Sequence, residues 1–391
     1  MSFFSLRFIS PSDAPSSDTR TSPSVRAMSS GPVVVVDGAA VDGMHPASPS
    51  DWLKTLPQLG AYTTGRTRGG ATKMAQWSSH VARLRSSLAA LTGTTFGSDG
   101  EVAALIEPTV RKTLAECAAR NVAGPTDDGT STQPSVQSTN NTQIHLRAPT
   151  NRPRHTRPVN ADDPDRGEVM LVVAVCTSTS GAWTTHAHAT PLPAMDREPT
   201  TVLVAAPASI RGPSPNTKDV AWPTKRAAYD ELKRQMNPEG IGEVILTPDG
   251  GDTLLEGLTT NLFVVRTRLD MPYHGVADCV SSLEVVTPPR GDVLPGVARE
   301  AVIAACAAEG LPVKEEPVLA SEEDLWAEVF LTNAVRLTRP VREVRWASAD
   351  GVGGGSGPDA RESRLVPDAW GSISNRLYRR ILASLDDDLG P

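Results

Sequence analysis

Lysine is scarce in this 391-residue sequence: Lys54, Lys73, Lys112, Lys218, Lys225, Lys233 and Lys314 are the whole set, and the remaining basic residues are arginines. Any chemistry that needs an amine nucleophile therefore has a short candidate list. Aromatic residues make up only 4% of the chain, so Val, Leu and Ala must supply most of the apolar surface of a core. The four cysteines, Cys117, Cys176, Cys279 and Cys306, lie far apart and form no C-x-x-C pair. That pattern argues against a zinc site or a disulfide frame, and suits small buried hydrophobes or free thiols in a reducing compartment. No metal is expected. No apolar run approaches the roughly 20 residues that a membrane-crossing helix needs, which predicts a soluble chain with no membrane partner. The net charge of −7 excludes a general nucleic-acid binder, which would require a basic face.

What is present is a chain long enough for two cores, 39% of it hydrophobic. Residues 1–31 contain Ser, Pro and Arg but no apolar stretch of the kind a secretory signal carries. They read as a disordered tail on a cytoplasmic protein. The alternative is a transit peptide to a plastid or mitochondrion, against which Asp13 and Asp18 count, and Met28 is a second candidate start. Ordered structure is expected from the strand Val33–Val36, followed by helices near His80–Leu91 and Glu101–Arg120. Residues 123–166 are rich in Thr, Ser, Asn, Pro and Asp and read as a low-complexity insertion. Strands follow at Val169–Val175 and Val202–Ala206, and the Gly and Pro of Arg211–Asn216 mark a connection.

In the second half, Glu243–Thr247 and Thr253–Val265 flank Pro248-Asp249-Gly250-Gly251, a hairpin signal. A helix is expected at Val297–Ala308, a strand at Val329–Thr332, a surface loop at Gly351–Gly357 and a closing amphipathic helix through Ile373, Leu377 and Ile381. These elements predict an α/β (α+β) protein of two domains, residues 32–208 and 209–391, with a ligand cleft between them.

Two segments carry chemistry. In Leu294-Pro295-Gly296-Val297-Ala298-Arg299, Pro and Gly open a helix whose free N–H groups favour an anion such as phosphate. In Leu255-Glu256-Gly257-Leu258-Thr259-Thr260-Asn261, a carboxylate ends an apolar strand; if buried, it needs a cationic or protonated partner. A pyridinium nitrogen would serve.

With these segments in hand, the stretch from Lys218 to Val341 resembles the class-IV pyridoxal-phosphate family of branched-chain aminotransferases, D-amino-acid aminotransferases and aminodeoxychorismate lyases. The matching pieces run in family order: Lys218-x-x-x-Trp222-x-x-x-Arg226, then Glu256-Gly257-x-x-x-Asn261-Leu262-Phe263, then Thr287-Pro288-Pro289. Leu294-Pro295-Gly296-Val297-x-Arg299 and Val329-Phe330-Leu331-Thr332-Asn333 follow. The first half matches more thinly, through Gly60-Ala61-Tyr62-Thr63-Thr64 and His80-x-x-Arg83-Leu84.

The resemblance implies a two-domain fold-type IV enzyme, D-amino-acid aminotransferase-like, acting on a small amino acid or amino-chorismate substrate and assembling as a homodimer. It implies that Lys218 binds pyridoxal 5'-phosphate as a Schiff base and then moves the Cα proton. Glu256 is expected at the pyridine nitrogen, with Asn261 beside it. Arg83, the backbone of Gly296, Val297 and Ala298, and Thr332 or Asn333 are expected to form the phosphate cup. Trp222 stands where the branched-chain enzymes carry a tyrosine facing the ring oxygen, and an indole N–H can only donate. Ala298 replaces a threonine common in their cup. His80, Arg226 and Arg299 read as structural, and Lys225 as a solvated charge. Tyr62, Arg66 and Arg211 are the candidates for substrate contact. Transamination is the first expectation and the pyruvate-releasing lyase the second; a non-catalytic relative is a third, disfavoured by the joint presence of Lys218, Glu256 and Arg83.

Overall fold

The computed structural model describes residues 31–122, 165–178, 181–193, 198–212, 215–236, 240–248, 252–268, 282–347, 363–368 and 371–391. The N-terminal tail, most of the 123–166 insertion and the Gly351–Gly357 loop lie outside the described residues. Gly31–Pro391 forms one compact unit. None of its described helices is long and apolar enough to cross a membrane.

The first sheet is built from β1 (Val33–Val36), β2 (Ala39–Ala40), β3 (Gly60–Arg68), β4 (Lys73–Met74), β5 (Val169–Thr177) and β6 (Trp183–Pro191), in the order β2-β1-β6-β5-β3-β4. Its pairs are antiparallel throughout. Such sheets usually leave one face to water, yet β5 reads as a continuous apolar run because both of its faces are covered. Leu171, Val173 and Val175 face the helices α2 (Trp77–Thr92) and α3 (Asp99–Ala119). Val172, Ala174 and Cys176 share the opposite core with Tyr62, Val220, Trp222, Val244 and Leu255. The short helix α1 (Pro49–Lys54) closes that layer through Trp52 and Leu53.

The second sheet contains β7 (Thr200–Pro207), β8 (Ile241–Thr247), β10 (Asn261–Thr267), β11 (Leu283–Thr287), β12 (Val313–Glu315), β14 (Trp326–Asn333) and β15 (Leu337–Trp346), ordered β12-β11-β10-β14-β15-β7-β8, with β16 (Arg364–Leu365) beside β15. A small separate pair joins β9 (Thr253–Leu254) to β13 (Val318–Leu319). Helices α6 (Val297–Ala308) and α7 (Ser372–Ser384) pack on Phe263, Val265, Val285 and Phe330. The short α4 (Trp222–Lys225) and α5 (Ala227–Gln235) lead from the lysine segment back to β8.

Two expectations are corrected here. The strand at Val202–Ala206 pairs in parallel with β15 and β8, so it belongs to the second sheet and the chain changes sheets before Thr200 rather than near residue 209. Thr253–Val265 is not one hairpin arm. Residues 255–258 return along β8, with Leu246 N–H donating to Glu256 O at 2.7 Å and Leu258 N–H to Val244 O at 3.1 Å. The chain then turns and β10 departs to pair with β11 and β14. Gly and three successive polar residues, 257–261, allow that break in an otherwise apolar run. Cys117, Cys176 and Cys306 are buried free thiols. Burial pushes each of them up to about 12, which suits the inert role expected.

Candidate active site

Lys218 belongs by sequence to the second half but is fixed to the first sheet. Its carbonyl accepts the Tyr62 N–H at 2.8 Å, and Val220 N–H donates to Gly60 O at 3.2 Å, so the segment runs beside the free edge of β3. Its own N–H donates to Ser87 Oγ of α2 at 3.1 Å. The backbone is therefore held on both sides. The amine lies 5.0 Å from the centre of the Tyr62 ring. Lys218 as a whole is half-buried, but its surroundings are cationic: burial first, then Arg83, Arg211 and Arg226, hold its pKa well below the ordinary lysine range, while Glu256 opposes them. Among the described residues, no carboxylate is within ion-pair distance of Nζ. This is the environment that keeps an amine neutral and nucleophilic.

Glu256 owes its position to the turn after β9. Gly257 N–H donates to Thr260 O at 2.8 Å, which sets Glu256 directly across from Asn261. The carboxylate is 2% exposed and accepts from Arg211 Nη2 at 2.6 Å, Asn261 Nδ2 at 3.1 Å and the Leu294 N–H at 3.2 Å. Burial raises it to about 7, against the lowering effect of Arg211, the Leu294 N–H and Lys218. A carboxylate offers about four acceptor positions, so these three donors leave room for one more.

Arg83 projects from α2 on the same helical face as His80 and Ser87, at i−3 and i+4. It is buried, and Nη2 donates to Thr63 Oγ1 at 2.6 Å. Burial lowers it to about 10, and among the described residues its Nε has no partner. Helix α6, which touches α2, starts at Gly296 without a side-chain cap, leaving the first-turn N–H groups of Val297 and Ala298 free of intrahelical acceptors. A Cβ at Gly296 would lie 2.0 Å from Asn261 Oδ1. The glycine thus lets this helix end approach the Glu256–Asn261 pair.

Several expected contacts are redirected. The indole N–H of Trp222 donates to Leu258 O at 2.8 Å, so it faces the 257–260 turn rather than a ring oxygen, and the ring lies 4.6 Å beneath the Arg211 guanidinium. Arg211 itself is paired with Glu256 and donates to Pro215 O at 3.0 Å, which leaves it poorly placed for a substrate carboxylate. Arg66 is 1% exposed and ion-paired with Asp165, with a further bond to Val335 O at 3.3 Å. Both arginines expected as candidate substrate contacts are thus paired with carboxylates of the chain. Thr332 sits opposite Asn261 in the sheet, but its hydroxyl donates to Leu337 O. Asn333 caps the same turn, accepting from Val335 N–H at 3.1 Å and Arg336 N–H at 2.8 Å. Arg226 bonds Asp230, Leu258 O and Ser50, and Arg299 bonds Pro288 O and Glu315.

Thr63, Ser87 and the Leu294 N–H escaped the sequence reading. The 3–4 spacing of His80, Arg83 and Ser87 was the available signal for the α2 face. Leu294 opens the Pro-Gly motif, but its contribution is a backbone N–H that no side-chain pattern signals.

A family model described as amino-transferase class IV matches residues 60–344. Comparison with curated protein sequences found no significant match. Among solved structures, a hypothetical aminotransferase from Mycobacterium tuberculosis in its PLP-bound form is similar over 92% of this chain and 100% of its own, at 16% identity and a TM-score of 0.56. The fold IV-transaminase CpuTA1 from Curtobacterium pusillum covers 90% of this chain and 99% of its own, at 16% identity and a TM-score of 0.55. A branched-chain amino acid aminotransferase from T.th., solved with pyridoxamine 5'-phosphate, gives 92%, 95%, 14% and 0.55 for the same four measures. At these identities the likeness concerns the fold, and it is that of the fold-type IV aminotransferases. By the match over residues 60–344, the chain belongs to the class-IV aminotransferase family.

Proposed function

We propose that the chain is a pyridoxal-phosphate-dependent transaminase of a small amino acid, with Lys218 as both the covalent anchor and the proton carrier. The observation that carries the reading is the lysine itself, held rigidly against β3 and driven toward the neutral amine by burial and three arginines. The remaining residues fit the cofactor. Glu256, buried and with one acceptor position open, suits a protonated pyridine nitrogen; Arg211 and Asn261 hold it in place. Arg83 has a buried, unpartnered Nε, and together with the uncapped start of α6 it suits the phosphate. Bound there, pyridoxal phosphate supplies an electron-accepting ring that stabilises negative charge at the substrate Cα.

The protein's own part is positioning and proton transfer. With the cofactor and substrate bound, Lys218, whose pKa is held low, would serve as a neutral base that takes up and returns the substrate Cα proton. The Tyr62 ring covers the amine on one side and limits water access. Both Arg66 and Arg211 are engaged by carboxylates, so recognition of the substrate carboxylate falls to other groups.

The test follows the visible spectrum of the pyridoxal-phosphate-loaded protein on addition of L- and D-amino acids, and separately of aminodeoxychorismate. Conversion to the shorter-wavelength pyridoxamine form by an amino acid supports transamination and names the donor. A spectrum unmoved by every amino acid, together with pyruvate release from aminodeoxychorismate, overturns it in favour of the lyase.

A further inference from the structure

Thr63 of β3 and His80 and Arg83 of α2 form a closed polar group within the layer between the first sheet and its helices. All three are buried. Arg83 Nη2 lies 2.6 Å from Thr63 Oγ1, Thr63 Oγ1 lies 2.7 Å from His80 Nδ1, and Arg83 Nη2 lies 3.4 Å from the same nitrogen. Donor and acceptor chemistry orders this triangle. A guanidinium has only protons to give, so the threonine oxygen accepts from Arg83. The hydroxyl proton of Thr63 then has one acceptor in the group, the lone pair of His80 Nδ1. That lone pair is presented by the neutral tautomer with its proton on Nε2.

The surroundings agree. Burial above all, then the Arg83 guanidinium on the same helix and the Lys218 side chain from the segment beside β3, push His80 well below the usual imidazole range. On the sheet side its ring lies against Gly65, which does not titrate. Protonation of both ring nitrogens would place a positive charge beside the buried Arg83 guanidinium.

We propose that His80 is a positioning residue for Arg83: its bare Nδ1 orients the Thr63 hydroxyl, and that hydroxyl fixes the guanidinium in the orientation that clamps the cofactor phosphate. The inference rests on the phosphate role proposed above for Arg83. Without an acceptor at position 80 the threonine proton has no fixed direction, and the hold of the Thr63 oxygen on the guanidinium loosens.

The test compares His80→Leu, which keeps bulk but removes the acceptor, His80→Asn, whose amide oxygen can reach the Nδ1 position, and Thr63→Val, which keeps shape but removes the hydroxyl. Each full-length protein is titrated with pyridoxal phosphate and, as the phosphate-free probe, with pyridoxal, reading the visible band. Loss of an aligned hydrogen bond to a charged group should weaken pyridoxal phosphate by about tenfold in His80→Leu and Thr63→Val. His80→Asn should stay near wild type, and pyridoxal affinity should be unchanged in all three. Equal binding of pyridoxal phosphate by His80→Leu and wild type overturns the proposal, as does an equal loss for both probes or a His80→Asn as weak as His80→Leu. If His80→Leu does not fold, Thr63→Val decides by the same comparison. A wild-type protein that develops no band with either probe overturns the cofactor assignment itself, and this proposal with it.

Discussion

Gly296→Ala is a substitution whose cost can be worked from the structure. The backbone at Gly296 has φ −67° and ψ 136°, which alanine adopts freely, so no conformational strain enters. The added Cβ would lie 2.0 Å from Asn261 Oδ1 and 3.2 Å from Asn261 Cγ. Asn261 cannot yield cheaply, because its amide nitrogen is held by Glu256 Oε2 at 3.1 Å and Leu294 O at 2.9 Å. Either the start of α6 moves outward, or Asn261 swings away and leaves Glu256 with one donor fewer. Overpacking of this kind costs about 1–3 kcal/mol, and loss of a buried hydrogen bond to a charged group a comparable amount. The expected destabilisation is about 2–4 kcal/mol, read as a shift of the urea midpoint at unchanged slope. Gly291→Ala is the control: no atom lies within 4 Å of its added carbon, and it should change stability by less than about 0.5 kcal/mol. Because the clash and the bond share one residue, Asn261→Ala combined with Gly296→Ala should cost clearly less than the sum of the two. A Gly296→Ala protein as stable as the Gly291→Ala control would show that Asn261 and the start of α6 are not in the close packing described.

Glu328 on β14 accepts the backbone N–H groups of Ile373 and Ser374 at the start of α7, each at 2.9 Å. Burial raises its pKa from 4.5 to about 7, with the Ser374 hydroxyl and those N–H groups opposing the rise. The folded chain thus keeps a proton that the unfolded chain releases near 4.5, so this residue's contribution to stability falls as pH rises through that interval. Glu328→Gln removes the effect. Its stability relative to wild type should improve by up to about 3 kcal/mol between pH 4.5 and 7.5, and a pH-independent difference in unfolding free energy would contradict the assignment. Arg66→Met breaks a buried pair with Asp165 and should cost roughly 3–5 kcal/mol, lessened when Asp165→Asn is added. The KM for amino substrates in the folded fraction should not change, whereas a selective rise in KM with stability intact would restore Arg66 as a substrate contact.

The elements themselves were readable wherever local pattern decides them. The Pro-Gly start of α6 fell where it was expected, and the apolar run of β5 announced a strand covered on both faces. What the sequence hid was pairing at a distance. The strand at Val202 carries the same Val-rich signature as the first sheet, and only hydrogen bonding to β15 assigns it to the second. Lys218 could be singled out by motif, yet its attachment to Tyr62 and Ser87 depends on chain segments more than 130 residues away. Arginines were the hardest to read. Arg66 and Arg211 looked like free anchors because their partners, Asp165 and Glu256, are remote in the chain. For Trp222 the donor could be foreseen, but not the Leu258 carbonyl it meets.

The central claim is that Lys218 is the amine that carries the cofactor, and covalent trapping tests it most directly. The pyridoxal-phosphate-loaded protein is reduced with borohydride, digested, and its lysine peptides analysed by mass spectrometry. A phosphopyridoxyl group is expected on Lys218 and on none of the other lysines, with no trapped label in Lys218→Ala. Label on Lys225, label scattered over several lysines, or label persisting in Lys218→Ala would contradict it.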